Sequence, residues 1–87
     1  MFMRELVFDR NALEDIVWWI ENDKRLALKI LSLVNLILKD PFNGLGKPEP
    51  LKNQLRGCWS RRINIEHRIV YQVSDTKIRI LQCRYHY

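Results

Sequence analysis

All three prolines and all three glycines of this 87-residue chain fall between positions 41 and 57. Residues 1–40 and 58–87 contain neither, so each is a stretch without the strongest breakers of regular structure. The two stretches carry different apolar periods. From Asn11 to Asn22, Leu13, Ile16, Val17 and Ile20 recur at helical spacing, flanked by Trp18 and Trp19. Leu26, Ala27, Ile30, Leu33, Val34, Ile37 and Leu38 form a second helical face, which Asp40-Pro41 ends because proline disfavours helix at the residue before it. Asp9 and Asp23 are natural N-caps for the two helices. The short connection between them predicts an antiparallel helix pair.

Residues 2–8 read as a short strand ahead of the helices. After position 57 three strands are expected, over residues 58–65, 68–74 and 77–84, with Asp75-Thr76 as a hairpin turn. Helices and strands are thus segregated. The fold class is α+β: an N-terminal strand and an antiparallel helix pair packed on a mostly antiparallel β-sheet. At this length a single domain spanning residues 1–87 is expected. Segment 41–57 is the one long loop, and long loops in compact domains are often functional.

Apolar residues make up 47% of the chain, which excludes a disordered tail or linker. No apolar run reaches the ~18 residues of a membrane span. Glu5 interrupts the N-terminal region where a signal peptide would become apolar, so a cytoplasmic location is expected. Cys58 and Cys83 are too few for a disulfide scaffold. Neither is spaced from a histidine like a zinc ligand, and no metal or cofactor is expected. Trp18, Trp19 and Trp59 are most economically core or interface residues.

The net charge of +5 is uneven. Residues 1–44 sum to −1, whereas residues 45–87 hold nine Lys/Arg against Glu49, Glu66 and Asp75. Such asymmetry fits a polyanionic partner, although small basic domains are also simply soluble.

Glu49 lies between Pro48 and Pro50, which restrict its backbone and present its carboxylate with little freedom. A solvated glutamate on a rigid loop has the same sequence. Arg61 and Arg62 must point to opposite faces of their strand, and Arg68 follows on the next. Clustered arginines suit phosphate binding, or a charged sheet face. The chain ends Arg84-Tyr85-His86-Tyr87, which offers an imidazole that titrates near neutrality and a phenol able to stack on a base. A carboxylate, arginines, a histidine and a tyrosine are the groups needed when an RNA 2′-OH attacks its neighbouring phosphate: a base, an acid and positive charge for the phosphorane.

Four segments carry a resemblance. Gly46-Lys47-Pro48-Glu49-Pro50-Leu51-Lys52, Trp59-Ser60-Arg61-Arg62-Ile63, Glu66-His67-Arg68-Ile69-Val70-Tyr71 and Cys83-Arg84-Tyr85-His86-Tyr87 resemble the YoeB (Txe) toxins of the RelE/ParE toxin–antitoxin superfamily. The resemblance implies a RelE-like microbial ribonuclease fold and a ribosome-dependent endoribonuclease that cuts mRNA in the decoding site. It implies catalytic roles for Glu49, Arg68, His86 and Tyr87. Lys47, Lys52, Arg61, Arg62 and Arg84 are the expected RNA-binding residues. The implied partners are mRNA, the ribosome and an antitoxin with a disordered acidic segment, YefM- or Phd-like, with a homodimer also open. A non-catalytic reading on the same scaffold, a ParE-like gyrase inhibitor or a plain RNA-binding protein, stays open too.

The β-hairpin sets one geometric requirement. A two-residue Asp75-Thr76 turn pairs Val73 with Ile78 and Tyr71 with Ile80. Strict continuation opposes Arg68 to Cys83 and sends His86 to the other face. A shared site therefore requires a bulge, or a tail that leaves the strand before His86.

Overall fold

The computed structural model describes residues 3–85. Strand β1 (Glu5–Phe8) leads into helix α1 (Arg10–Asn22) and helix α2 (Lys24–Lys39). Strands β2 (Glu49–Pro50), β3 (Cys58–Arg62), β4 (Arg68–Val73) and β5 (Lys77–Gln82) follow. They form one five-stranded sheet in the order β1-β5-β4-β3-β2, in which only β1–β5 is parallel. The long loop also contains a 3-10 turn at Asn53–Leu55.

The helices cover one face of the sheet. Ala12, Ile16 and Trp19 of α1 and Ala27, Ile30, Leu33, Val34 and Ile37 of α2 bury against Ile69, Tyr71, Ile78 and Ile80. Among the described residues the opposite face holds a small apolar cluster of Leu51, Cys58 and Val70, with Leu55 and Leu81 packed against it. A single residue, Asp23, joins the helices, and its side chain accepts the Leu26 N–H at 3.3 Å, as an N-cap should. Asp9 occupies the N-cap position of α1 without a side-chain cap bond. Its carboxylate lies 3.6 Å from Arg79 instead, because β1 pairs with β5 and brings that guanidinium alongside.

The loop between α2 and β2 wraps around one buried arginine. Arg61 is fully buried, and its guanidinium donates to the backbone carbonyls of Asp40, Asn43 (2.8 Å) and Leu45 (3.3 Å) and to Tyr71 Oη (3.3 Å). Tyr71 in turn donates to Pro41 O at 2.6 Å. Two glycines permit the close wrap. A Cβ on Gly44 would lie 3.2 Å from Arg61 Nη1, and one on Gly46 would lie 2.9 Å from Arg62 O. Both adopt positive φ, which glycine tolerates best. Arg61 was expected to bind RNA; its strand parity turns it to the helix side, where loop carbonyls accept from its guanidinium.

Candidate functional site

The site is assembled on the open sheet face by register. Residues paired across a ladder share a face. Glu49 pairs with Ser60, Ser60 with Val70, and Arg62 with Arg68. Glu49, Ser60, Arg62 and Arg68 therefore share the face whose apolar floor is Leu51, Cys58 and Val70. The two strand residues Glu49 and Pro50 suffice to fix the carboxylate, because the Leu51 N–H to Cys58 O bond (2.9 Å) continues the pairing.

Arg68 Nη1 lies 3.7 Å from Glu49 Oε1. The guanidinium is largely enclosed, with 15% of the Arg68 side chain exposed, whereas 53% of the Glu49 side chain is exposed. An open pair of this kind adds only about 0–1 kcal/mol to stability. Its chemical capacity is the greater interest: an accessible carboxylate oxygen sits beside a cation with fixed orientation. Arg62 is exposed directly across from Arg68, and Lys47 and Lys52 are exposed on either side of Glu49 in the chain. Lys52 joins Glu49, Pro50, Leu51, Asn53 and Leu55 around a cleft of about 360 Å³. Ser60 Oγ is buried beneath these groups with no hydrogen-bond partner among the described residues, a feature no sequence signal announced.

The remaining expected site residues fall elsewhere. Arg84 was expected to bind RNA, but its guanidinium lies 3.5 Å from the centroid of the Trp18 ring on α1 and 4.5 Å from that of Tyr85. Its charge is held by aromatic faces and by the nearby Asp15 carboxylate rather than displayed beside Arg62. His86 and Tyr87 lie outside the described residues.

The segment that leads to them is well fixed. β4–β5 pairing keeps Val73 opposite Ile78 and Tyr71 opposite Ile80, but places Val70 opposite Gln82, leaving Leu81 as a bulge. β5 ends at Gln82, and Tyr85 adopts φ 66°. Both remedies required by the sequence register, a bulge and an early exit from the strand, are present. Cys83 turns into the helix-side core. Its N–H donates to Asp15 Oδ2 and its carbonyl accepts from Trp19 Nε1, each at 2.9 Å. Burial raises the Asp15 carboxyl pKa against the opposing effect of the Cys83 N–H, and burial pushes the Cys83 thiol to about 12. Asp15 and His67 are anchors that sequence reading missed, since one acid on a helix and one histidine on a turn carry no local signature.

A helix pair packed on one face of a mixed five-stranded sheet, with the other face open, is a fold class with solved counterparts. YafQ from E. coli has the same fold, with a TM-score of 0.79 over 95% of this chain and 93% of that one, at only 16% identity. Residues 8–87 match the YoeB-like toxin of bacterial type II toxin–antitoxin systems, and the chain belongs to that family. It is 48% identical over 85 residues to Toxin YoeB of Mycobacterium bovis, covering 98% of this chain and all of that protein. It is also similar to YoeB of Staphylococcus aureus, solved as a dimer (TM-score 0.88, 44% identity, 98% and 99% of the chains covered). That toxin was also solved in a heterotetrameric complex with the antitoxin YefM (TM-score 0.86, 45% identity, 97% and 98% covered). The chain is therefore a type II toxin. Among the described residues no helix is long and apolar enough to cross a membrane.

Proposed function

We propose that this toxin is a ribosome-dependent mRNA endoribonuclease, acting in the cytoplasm as a single domain and without a metal. The observation that supports this reading is the pairing of an exposed Glu49 carboxylate with the enclosed Arg68 guanidinium at 3.7 Å, on a sheet face flanked by Arg62.

In this reading Glu49 accepts the proton of the RNA 2′-OH as that oxygen attacks the adjacent phosphorus. Arg68 neutralises charge that develops on the non-bridging oxygens. His86 donates a proton to the departing 5′-oxygen, and Tyr87 orients the scissile nucleotide. The bond from phosphorus to the 5′-oxygen breaks, and a 2′,3′-cyclic phosphate remains. Arg62, Lys47 and Lys52 hold the flanking phosphates. Arg61 and Arg84 are not in this set, since loop carbonyls and the Trp18 ring already engage them. In this reading the ribosome completes the site.

The partner that restrains the toxin is an antitoxin of the YefM type, as in the Staphylococcus aureus complex. A disordered acidic segment folds on binding and covers Arg62 and Arg68. A second copy of the chain is a further partner, as in the Staphylococcus aureus dimer.

The test is a translation reaction with purified ribosomes and protein stripped of metal by EDTA and then desalted. Wild-type protein should cut mRNA only when ribosomes are present. Glu49→Gln and Arg68→Ala should each lose most cleavage, on the ~10²–10⁴-fold scale of a single acid–base group, while still binding ribosomes. Cleavage of free RNA at an equal rate, or full activity in Glu49→Gln, would refute the reading.

A further inference from the structure

We propose that His67 is a positioning residue: it latches the backbone of Tyr85, the residue that precedes the proposed general acid His86 in the sequence. The proposal rests on the nuclease reading above and adds to it a residue that holds the general acid.

The latch is built from both sides. On the His67 side, Asn64 Oδ1 accepts the N–H groups of Glu66 (2.9 Å) and His67 (2.8 Å), which closes the turn between β3 and β4. The His67 carbonyl accepts from Ile63 and Asn64. The imidazole packs edge-on against Trp19, with ring centroids 4.8 Å apart and planes at 88°. Its backbone and its ring are therefore both fixed, and its Nδ1 points at the C-terminal segment.

On the other side, Tyr85 donates its N–H to His67 Nδ1 at 2.7 Å, and its carbonyl accepts from Arg68 N–H at 3.1 Å. Both backbone polar groups of Tyr85 are thus held by consecutive residues of one turn. They hold it at φ 66°, a conformation a residue with a Cβ avoids unless its surroundings enforce it. Two residues earlier, Asp15 and Trp19 of α1 hold both backbone groups of Cys83. Four hydrogen bonds thus hold Cys83 and Tyr85, two of the last three described residues.

The Tyr85 latch is unlike the Cys83 anchors in one respect. Cys83 is buried in the core, whereas Tyr85 is 57% exposed. Breaking a hydrogen bond at an exposed residue removes little of what holds the core together. It does release the backbone of the residue that precedes the proposed general acid in the sequence. Acceptance at Nδ1 requires the neutral ring with its proton on Nε2. An asparagine at position 67 can place Oδ1 close to the Nδ1 position. A glutamine carries its amide one carbon further and cannot.

The test compares His67→Asn with His67→Gln in single-turnover mRNA cleavage across ribosome concentrations, together with NMR amide exchange at Tyr85. His67→Gln should lower the maximal rate about ten-fold or more, since small misplacements of a catalytic group cost this much. The half-saturating ribosome concentration should stay unchanged, and Tyr85 exchange should quicken. His67→Asn should stay within about three-fold of wild type and keep the slow exchange, a rescue that general packing loss would not give. The latch is overturned if His67→Gln cleaves at the wild-type rate, if His67→Asn is as impaired as His67→Gln, or if Tyr85 exchange is equally slow in all three proteins. Wild-type protein that cuts no ribosomal mRNA refutes the nuclease reading itself, a different outcome from a cutting wild type matched by His67→Gln.

Discussion

Replacing either of two adjacent arginines should have very unequal consequences for stability. Arg61→Met keeps the aliphatic stem but removes donors to Asn43 O, Leu45 O, Asp40 O and Tyr71 Oη. Hydrogen bonds from a charged donor contribute ~1.5–3 kcal/mol each, and Asp40 O and Asn43 O accept the two best placed. Removing both would cost about 3–6 kcal/mol, offset in part because a guanidinium no longer has to be buried. A net loss of about 3 kcal/mol follows, a large share of the ~5–15 kcal/mol of a typical domain. At ~4–8 °C per kcal/mol, the melting midpoint should fall by roughly 12–24 °C. Arg62→Met removes an exposed side chain and should change stability by less than about 0.5 kcal/mol. Urea unfolding followed by the fluorescence of the three tryptophans measures both. Equal midpoints for Arg61→Met and wild type would refute the view of Arg61 as the clamp of the 40–46 loop.

Arg62→Ala or Lys52→Ala should flatten the dependence of log affinity for ribosomes on log salt by about 0.7–0.9, one counterion's worth; an unchanged slope would remove that residue from the phosphate contacts. Cys83, with its thiol at about 12, and Cys58, whose thiol burial also raises, should resist a disulfide reagent at pH 8 in the folded protein and react once urea unfolds it. Rapid labelling of the native protein would show that the sheet core opens more readily than its packing implies.

The helix pair and the C-terminal strands were legible because the 41–57 segment gathers every proline and glycine, leaving helical spacing before it and strand signals after it. The Asp23 cap and the Val73–Ile78 and Tyr71–Ile80 pairs were legible because they depend on neighbours in sequence or on one tight turn. Parity called for a bulge or an early exit from the strand, but the place of the bulge at Leu81, next to the Cys83 anchor on α1, was not legible. Arg61 and Arg62 show a sharper limit. Alternation says that they face opposite ways, whereas the inward choice depends on carbonyls some sixteen to twenty-one residues away. The contact of Arg84 was hidden for the same reason: its partner, Trp18, lies on α1 and comes close only in the folded chain. The carboxylate–arginine pair needed a two-residue strand, Glu49–Pro50, within a segment that reads as pure loop.

The central claim is that Glu49 and Arg68 drive attack by the RNA's own 2′-OH. The chemistry of the cut end tests it most directly. After single-turnover cleavage on ribosomes, the upstream fragment should carry a 2′,3′-cyclic phosphate and resist 3′-end extension until that phosphate is removed. Glu49→Gln should slow its formation by about 10²-fold or more. An upstream fragment ending in a plain 3′-hydroxyl would mean that water, not the 2′-OH, is the nucleophile, and would contradict the account.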